Sequence, residues 1–246
     1  MMKKTYELEW GIFSLIEFIA SNSENIGNLY KTALDIGSGN GIQTEIMRHA
    51  GLEVFQLDKY SEKADYTVDF LEQNFEQKFD VIYCSHVIEH QRNVGFFLDK
   101  IYDCLSDNGR LIITAPKHPA NRMIEGHLNC FVLTYFIQQL IHAGFDLSAG
   151  KLLSCNIIEN AAIVPKANNF SIDERLESGY SWTEKHQQRS PIQLKNLTID
   201  DEQWIFNNCE ILSISETGKL KINLPEAYQE RGIHIFAPRW SFEVNI

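Results

Sequence analysis

The stretch "ALDIGSGNG", Ala33 to Gly41, limits this chain more than any other. An apolar, β-rich run ends in Gly37, Gly39 and Gly41 at alternate positions, and a helical pattern over Gly41 to Ala50 follows at once. Glycine inside a helix or strand costs about 0.5–1 kcal/mol relative to alanine, so three this close imply a sharp bend or a close approach by a ligand. A glycine loop between strand and helix also lets backbone N–H groups meet an anionic ligand end at the helix N-terminus.

The surrounding pattern alternates strands and helices. Strands are predicted at Thr32–Ile36, Glu53–Leu57, Tyr66–Val68, Phe79–Ser85 and 110–116, with a final antiparallel pair either side of Gly150. A helix over Val94–Leu105 carries Val94, Phe97, Leu98, Ile101 and Leu105 on one face, and Gly109 is expected as its cap or turn. A later helix over 131–145 ends at Gly144. Near the N-terminus Trp10, Phe13 and Ile16, with Leu15 or Ala20, fit an amphipathic helix. Such alternation gives an α/β chain with a mostly parallel sheet covered on both faces, and ligands bind such sheets at the carboxyl ends of the strands. Residues 1–166 read as this domain, and the polar 167–246 as an extension, a lid or a dimer surface.

Charge and cysteines narrow the classes. The net charge of −11 argues against nucleic acid and anionic membrane as partners. Five scattered cysteines form no CxxC pair, which supports neither a disulfide framework nor a zinc ribbon. Glu7, Glu9 and Glu17 interrupt the apolar stretch after the N-terminal lysines, and no run is long enough for a membrane span. The expectation is a cytoplasmic protein.

Asp58 stands at the end of the second strand, placed to accept hydrogen bonds from two ribose hydroxyls. The loop spacing is GxGxG, whereas the dinucleotide fingerprint GxGxxG needs a third small residue where Ile42 stands. Asp35 inside the strand would repel a pyrophosphate and suits an ammonium group. Taken together, "ALDIGSGNG", Asp58, "DYTVDF", "FDVIYCSHVIEH" and "GRLIITAPKH" resemble the class I S-adenosylmethionine-dependent methyltransferases over roughly residues 30–150. The resemblance implies a Rossmann-like, doubly wound, mostly parallel seven-stranded sheet with an antiparallel final strand. It implies S-adenosylmethionine as cofactor, with Asp35, Gly37, Ser38, Gly39, Asn40 and Gly41 around its methionine portion and Asp58 on its ribose. Lys59 would flank the adenine, Asp69 would accept from its amino group, Phe70 would offer backbone and ring edge, and Ser85 and His86 would lie near the sulfonium. The segment between Lys59 and Asp69 is short for a crossover helix, and Asp69 could instead start a helix as its N-cap.

"HVIEH", His86 to His90, also spells an inverted zinc-protease motif, whose spacing would put both histidines on one helical face. No further ligand is identifiable from the sequence, and no metal is assigned. His86 and His90 are instead candidates for a general base, because imidazole titrates near neutrality. His118, His127 and Asn129 follow the fifth strand at the open rim and are candidate acceptor contacts. The expected activity is methyl transfer to O, N or C of a small-molecule acceptor. A protein or tRNA acceptor, or a catalytically silent partner subunit that binds the nucleoside, remains the alternative, and a homo-oligomer stays open.

Overall fold

The computed structural model describes residues 3–7, 10–24, 26–117, 123–155, 159–176, 182–190, 210–214, 220–223, 233–236 and 241–245. The chain begins with β1 (Lys3–Glu7), α1 (Ile12–Asn22) and α2 (Ile26–Leu29), then β2 (Thr32–Ile36), α3 (Ile42–His49) and β3 (Glu53–Leu57). It continues through β4 (Phe79–Ser85), α4 (Val94–Cys104), β5 (Leu105–Pro116), α5 (Leu133–His142), β6 (Lys151–Cys155) and β7 (Glu159–Val164). A short helix α6 (Glu184–Arg189) precedes four strands, β8 (Glu210–Ile214), β9 (Leu220–Asn223), β10 (Ile233–Phe236) and β11 (Ser241–Asn245).

The main sheet has the order β10-β6-β7-β5-β4-β2-β3. Strand β2 runs parallel to β3 and β4, and β4 parallel to β5, while β7 lies antiparallel between β5 and β6. The strand order therefore reverses between β2 and β4, the place where such sheets open a crevice. Away from this sheet, β1 pairs antiparallel with β11, and β8 with β9.

Alternation along β2 assigns the two faces. Leu34 and Ile36 join Ile82, Phe97, Ile101 and Phe136 in one core, against α4 and α5. Ala33 joins Val81, Tyr83, Leu15, Phe18 and Met47 in the other, against α1 and α3. Each fully buried Leu or Phe contributes about 1.5–3 kcal/mol.

Several expectations change. The predicted third strand at Tyr66–Val68 is a single parallel bridge from Leu57 to Tyr66. The Asp65 carboxylate accepts the Gln56 N–H (2.8 Å), so a side chain satisfies the edge of β3 where a ladder would. The strand beyond six is added at the opposite edge, where β10 lies parallel to β6. The final antiparallel pair lies wholly after Gly150, as β6 and β7. Helix α1 forms, yet its buried face is Ile12, Leu15 and Phe18, with Ile16 outside and Trp10 ahead of the helix. Gly109 is not in a left-handed turn. A Cβ there would stand 2.9 Å from the Asp80 carbonyl, so glycine serves close strand approach. Gly144 does end α5, with φ +96° and a Phe145 N–H bond back to the Leu140 carbonyl.

Beyond residue 166 the described segments include a buried anchor. Arg189 donates to the Asn169 side chain and main chain and to Glu174, and its own carbonyl accepts from Leu147 and Ser148. No described helix is long and apolar enough to cross a membrane.

Candidate active site

A cleft of about 210 Å³ opens at the carboxyl ends of β2 and β4, lined by Trp10, Asp35, Gly37–Asn40, Ile42, Gln43, Tyr83, Ser85 and His86. The floor is the glycine loop, and all three glycines are left-handed, with φ of +75°, +51° and +78°. A Cβ on Gly37 would strike the Val87 side chain, and one on Gly41 would meet Gln56 Nε2 at 2.6 Å. A Cβ on Gly39 would meet nothing within 4 Å, so that glycine borders open space.

The loop amides are engaged inside the fold. Gly37 and Ser38 donate to the Leu57 carbonyl, Gly41 donates to the Ser38 carbonyl, and Gly39 donates to Asp58 Oδ2 (2.9 Å). Asp58 Oδ1 accepts from the Tyr60 and Ser61 N–H groups. Asp58 thus ties the second strand's end to the loop, and a ligand hydroxyl would join a carboxylate that already accepts three N–H bonds.

Asp35 is the cleft's buried charge, with Thr44 Oγ1 donating to its Oδ2 at 2.5 Å. Burial pushes its carboxyl up to about 7. The Thr44 hydroxyl and Arg48 oppose that rise, and the nearby Asp58 charge adds to it. An ammonium group beside Asp35 would restore the charged form. The Ser38 hydroxyl is buried in the same wall without a hydrogen-bond partner. An amino-acid end is what this wall fits: a cation for Asp35, a polar atom for Ser38, and room above Gly39.

The opposite wall adds Gly11 and Glu159, which the sequence did not single out, to Trp10, Ser85 and His86. Trp10 covers His86 with ring centroids 5.1 Å apart, and its carbonyl accepts from Ser85 Oγ and Gln43 Nε2. Gly11 begins α1 at φ +77°, so close to Tyr83 and Ser85 that any side chain would collide. Its N–H donates to Glu159 Oε2 (3.0 Å), and the same oxygen binds His86 Nε2 at 2.7 Å. Glu159 is 0% exposed. It sits 73 residues after His86, which no local motif could signal.

His86 is the one non-glycine residue at positive φ (53°) among those described. Its Nδ1 lies 3.5 Å from Glu89 Oε1, so both ring nitrogens face carboxylates. Burial by itself disfavours the imidazolium, but the hydrogen bonds and charges of Glu159 and Glu89 outweigh it and lift the pKa to about 9. The two carboxylates thus favour the charged imidazolium over the neutral imidazole that a general base needs.

The remaining candidates lie elsewhere. Lys59 pairs with Asp69 (3.1 Å), and Asp69 also accepts from the Leu71 N–H in a turn rather than a helix. Phe70 is buried against Phe97 and Phe75, so its ring belongs to the core. His90 is turned away, its Nδ1 2.8 Å from the Gly126 carbonyl. His86 and His90 do not share a helical face, because the chain turns at His86 and forms only a 3-10 turn over Ile88–His90. His127 packs edge-on to His90, and the Asn129 amide donates to the Gln91 carbonyl (2.6 Å). His118 lies outside the described residues.

Comparison with known proteins adds the family. The model of a methyltransferase domain matches residues 11–149, from the Gly11 cap through every cleft residue but Trp10 to the turn after α5. Curated relatives include proteins named ubiquinone biosynthesis O-methyltransferase. That of Rickettsia typhi is 26% identical over 138 residues, covering 50% of this chain and 54% of its own. That of Actinobacillus pleuropneumoniae is 24% identical over 135 residues, covering 46% and 56%. The chain thus spans about half the length of the curated relatives it matches. Among solved structures, the Burkholderia thailandensis 1,6-didemethyltoxoflavin-N1-methyltransferase, with that compound and S-adenosylhomocysteine bound, superposes with a TM-score of 0.51. It is 16% identical, covering 63% of this chain and 79% of its own, a likeness of fold.

Proposed function

Because this chain belongs to the class I S-adenosylmethionine-dependent methyltransferases, we propose that it moves a methyl group to an oxygen, nitrogen or carbon of a small-molecule acceptor. The observation that carries this reading is the buried Asp35 carboxylate facing a cleft floored by three left-handed glycines. Oxygen is the acceptor atom to test first, since the curated relatives are named O-methyltransferases.

When bound, the donor supplies a methyl group already activated by its sulfonium charge. The chain's own residues then have three tasks. Asp35 and Ser38 hold the amino-acid end, and Asp58 and the Gly39 backbone border the sugar. The strap of Trp10 and Gly11 closes one side of the cleft and excludes water. Ser85 and His86 form the wall where an acceptor would be oriented, with Glu159 fixing the ring. Holding two reactants in line can supply roughly 7–11 kcal/mol of the barrier. Residues 167–246 are taken as an extension of the domain formed by 1–166.

The test uses labelled donor with panels of phenols, amines and acidic carbon compounds, followed by separation of small molecules, polypeptide and RNA. Label in a small molecule supports the reading. Label in polypeptide or RNA, or donor binding without transfer to anything, overturns the acceptor class.

A further inference from the structure

Residues 126–129, in the segment that follows β5, lie against the 3-10 turn after β4 and are fastened there at four points. The Leu128 and Asn129 N–H groups donate to the Glu89 carbonyl, Asn129 Nδ2 donates to the Gln91 carbonyl, and His90 Nδ1 bonds the Gly126 carbonyl. This fastening brings three metal-binding side chains together. One ligand atom each of Glu89, His90 and His127 lie within 4.8 Å of one another.

We propose that Glu89, His90 and His127 bind a divalent first-row transition metal, with zinc the first choice. Two imidazoles and one carboxylate form a borderline N/O set that suits zinc, and three protein ligands leave a fourth position for water.

Three independent features support this. Glu89 is buried, at 1% exposed, and its Oε2 has no hydrogen-bond partner. A buried carboxylate oxygen left without a donor is costly, and a cation would satisfy it. His90 donates its Nδ1 proton to the Gly126 carbonyl, which fixes the tautomer and leaves Nε2 as a lone pair 3.6 Å from Glu89 Oε1. Metal-bound histidines commonly make this kind of backbone bond with the other nitrogen. The His90 and His127 rings stand with centroids 5.0 Å apart at 90°. Metal–nitrogen bonds of about 2 Å meeting at a tetrahedral angle would place two ring centroids about 5 Å apart.

The site differs from the one the H-x-x-E-H letters suggest. That motif would use His86 and His90, but His86 is held by Glu159, and the second histidine comes from His127, 37 residues after His90. The metal would lie behind the cleft wall, since Glu89 Oε1 is also 3.5 Å from His86 Nδ1.

The test is calorimetry with Zn²⁺ on chelator-treated full-length protein, with Co²⁺ as a spectroscopic probe. One equivalent should bind, and Co²⁺ should give visible ligand-field absorption. His127→Ala should weaken binding at least about a hundredfold and remove the absorption, because even outer partners of metal ligands are worth 10- to 100-fold. His90→Ala serves as a second variant, with circular dichroism to check that both remain folded, and the exposed His49→Ala should bind like the parent. No binding of either metal, or binding equally tight in both variants (an adventitious surface ion), overturns the proposal. Titration with S-adenosylhomocysteine on the same samples keeps the outcomes apart. Donor-site binding without metal binding sinks this inference alone.

Discussion

Asp35 should make donor binding depend on pH in a way few other residues could. Its carboxyl is held up to about 7 by burial, while the proposed seat for the donor's amino-acid end requires the ionised form opposite the ammonium group. Below pH 7 each binding event must first remove a proton, so affinity should fall roughly tenfold at pH 6 and roughly a hundredfold at pH 5. Above pH 7 the affinity should level off until the ligand's own amine titrates, at a higher pH than a peptide N-terminus because a carboxylate lies beside it. Calorimetric titration of S-adenosylhomocysteine between pH 5 and 8 reads this directly. Asp35→Asn should bind weakly with no slope across that range. The same residue works against stability. Folded Asp35 keeps its proton to about 7, while its unfolded value is 3.8. Between those limits the folded chain binds more protons, so stability falls as pH rises, by up to about 4 kcal/mol once both forms are ionised. Asp35→Asn can still accept from Thr44 and should therefore melt higher than the parent at pH 8. A parent affinity that is flat from pH 5 to 7 would refute the argument, as would an equal slope in Asp35→Asn.

Three further outcomes follow from packing. Gly37→Ala should lower unfolding free energy by several kcal/mol, combining a left-handed backbone with a collision at Val87, whereas Gly39→Ala should cost about 1 kcal/mol of backbone strain alone. Urea denaturation of the two variants compares them. Glu159→Gln should destabilise by about 1–3 kcal/mol, because one buried oxygen serves both the Gly11 N–H and His86, and should reduce turnover more than donor affinity. Steady-state kinetics beside calorimetry separates the two effects. Arg189→Ala should cost about 1.5–3 kcal/mol in chemical denaturation by removing the buried guanidinium's hydrogen bonds to Asn169 and Glu174, while Lys185 and the Ser171 N–H stay on Glu174.

What could be read in advance was local. The strand, three glycines and helix of 32–50 announce themselves within twenty residues, because a left-handed turn leaves a compositional mark. Asp35 was legible as well, as a charge inside an apolar strand. Glu159 was not, since it lies on a strand paired into the sheet far from His86 in sequence. Trp10 reads as part of a helix, yet the helix starts two residues later, at Ile12, and the left-handed Gly11 between them sets Trp10 over the cleft. The spacing of His86 and His90 suggested a shared helical face. A positive φ at His86 undoes that inference, and period alone cannot reveal such a turn. Tyr66 had strand character, but Asp65 took the edge hydrogen bond first.

The single oxygen of Glu159 that receives both Gly11 and His86 makes the two share one latch. Any displacement of Gly11 would strip a donor from an anion sealed off from solvent and leave that oxygen to the imidazole alone. The residue before Gly11 is the Trp10 that covers the same ring, so a change at the mouth of the cleft would be felt at its back wall.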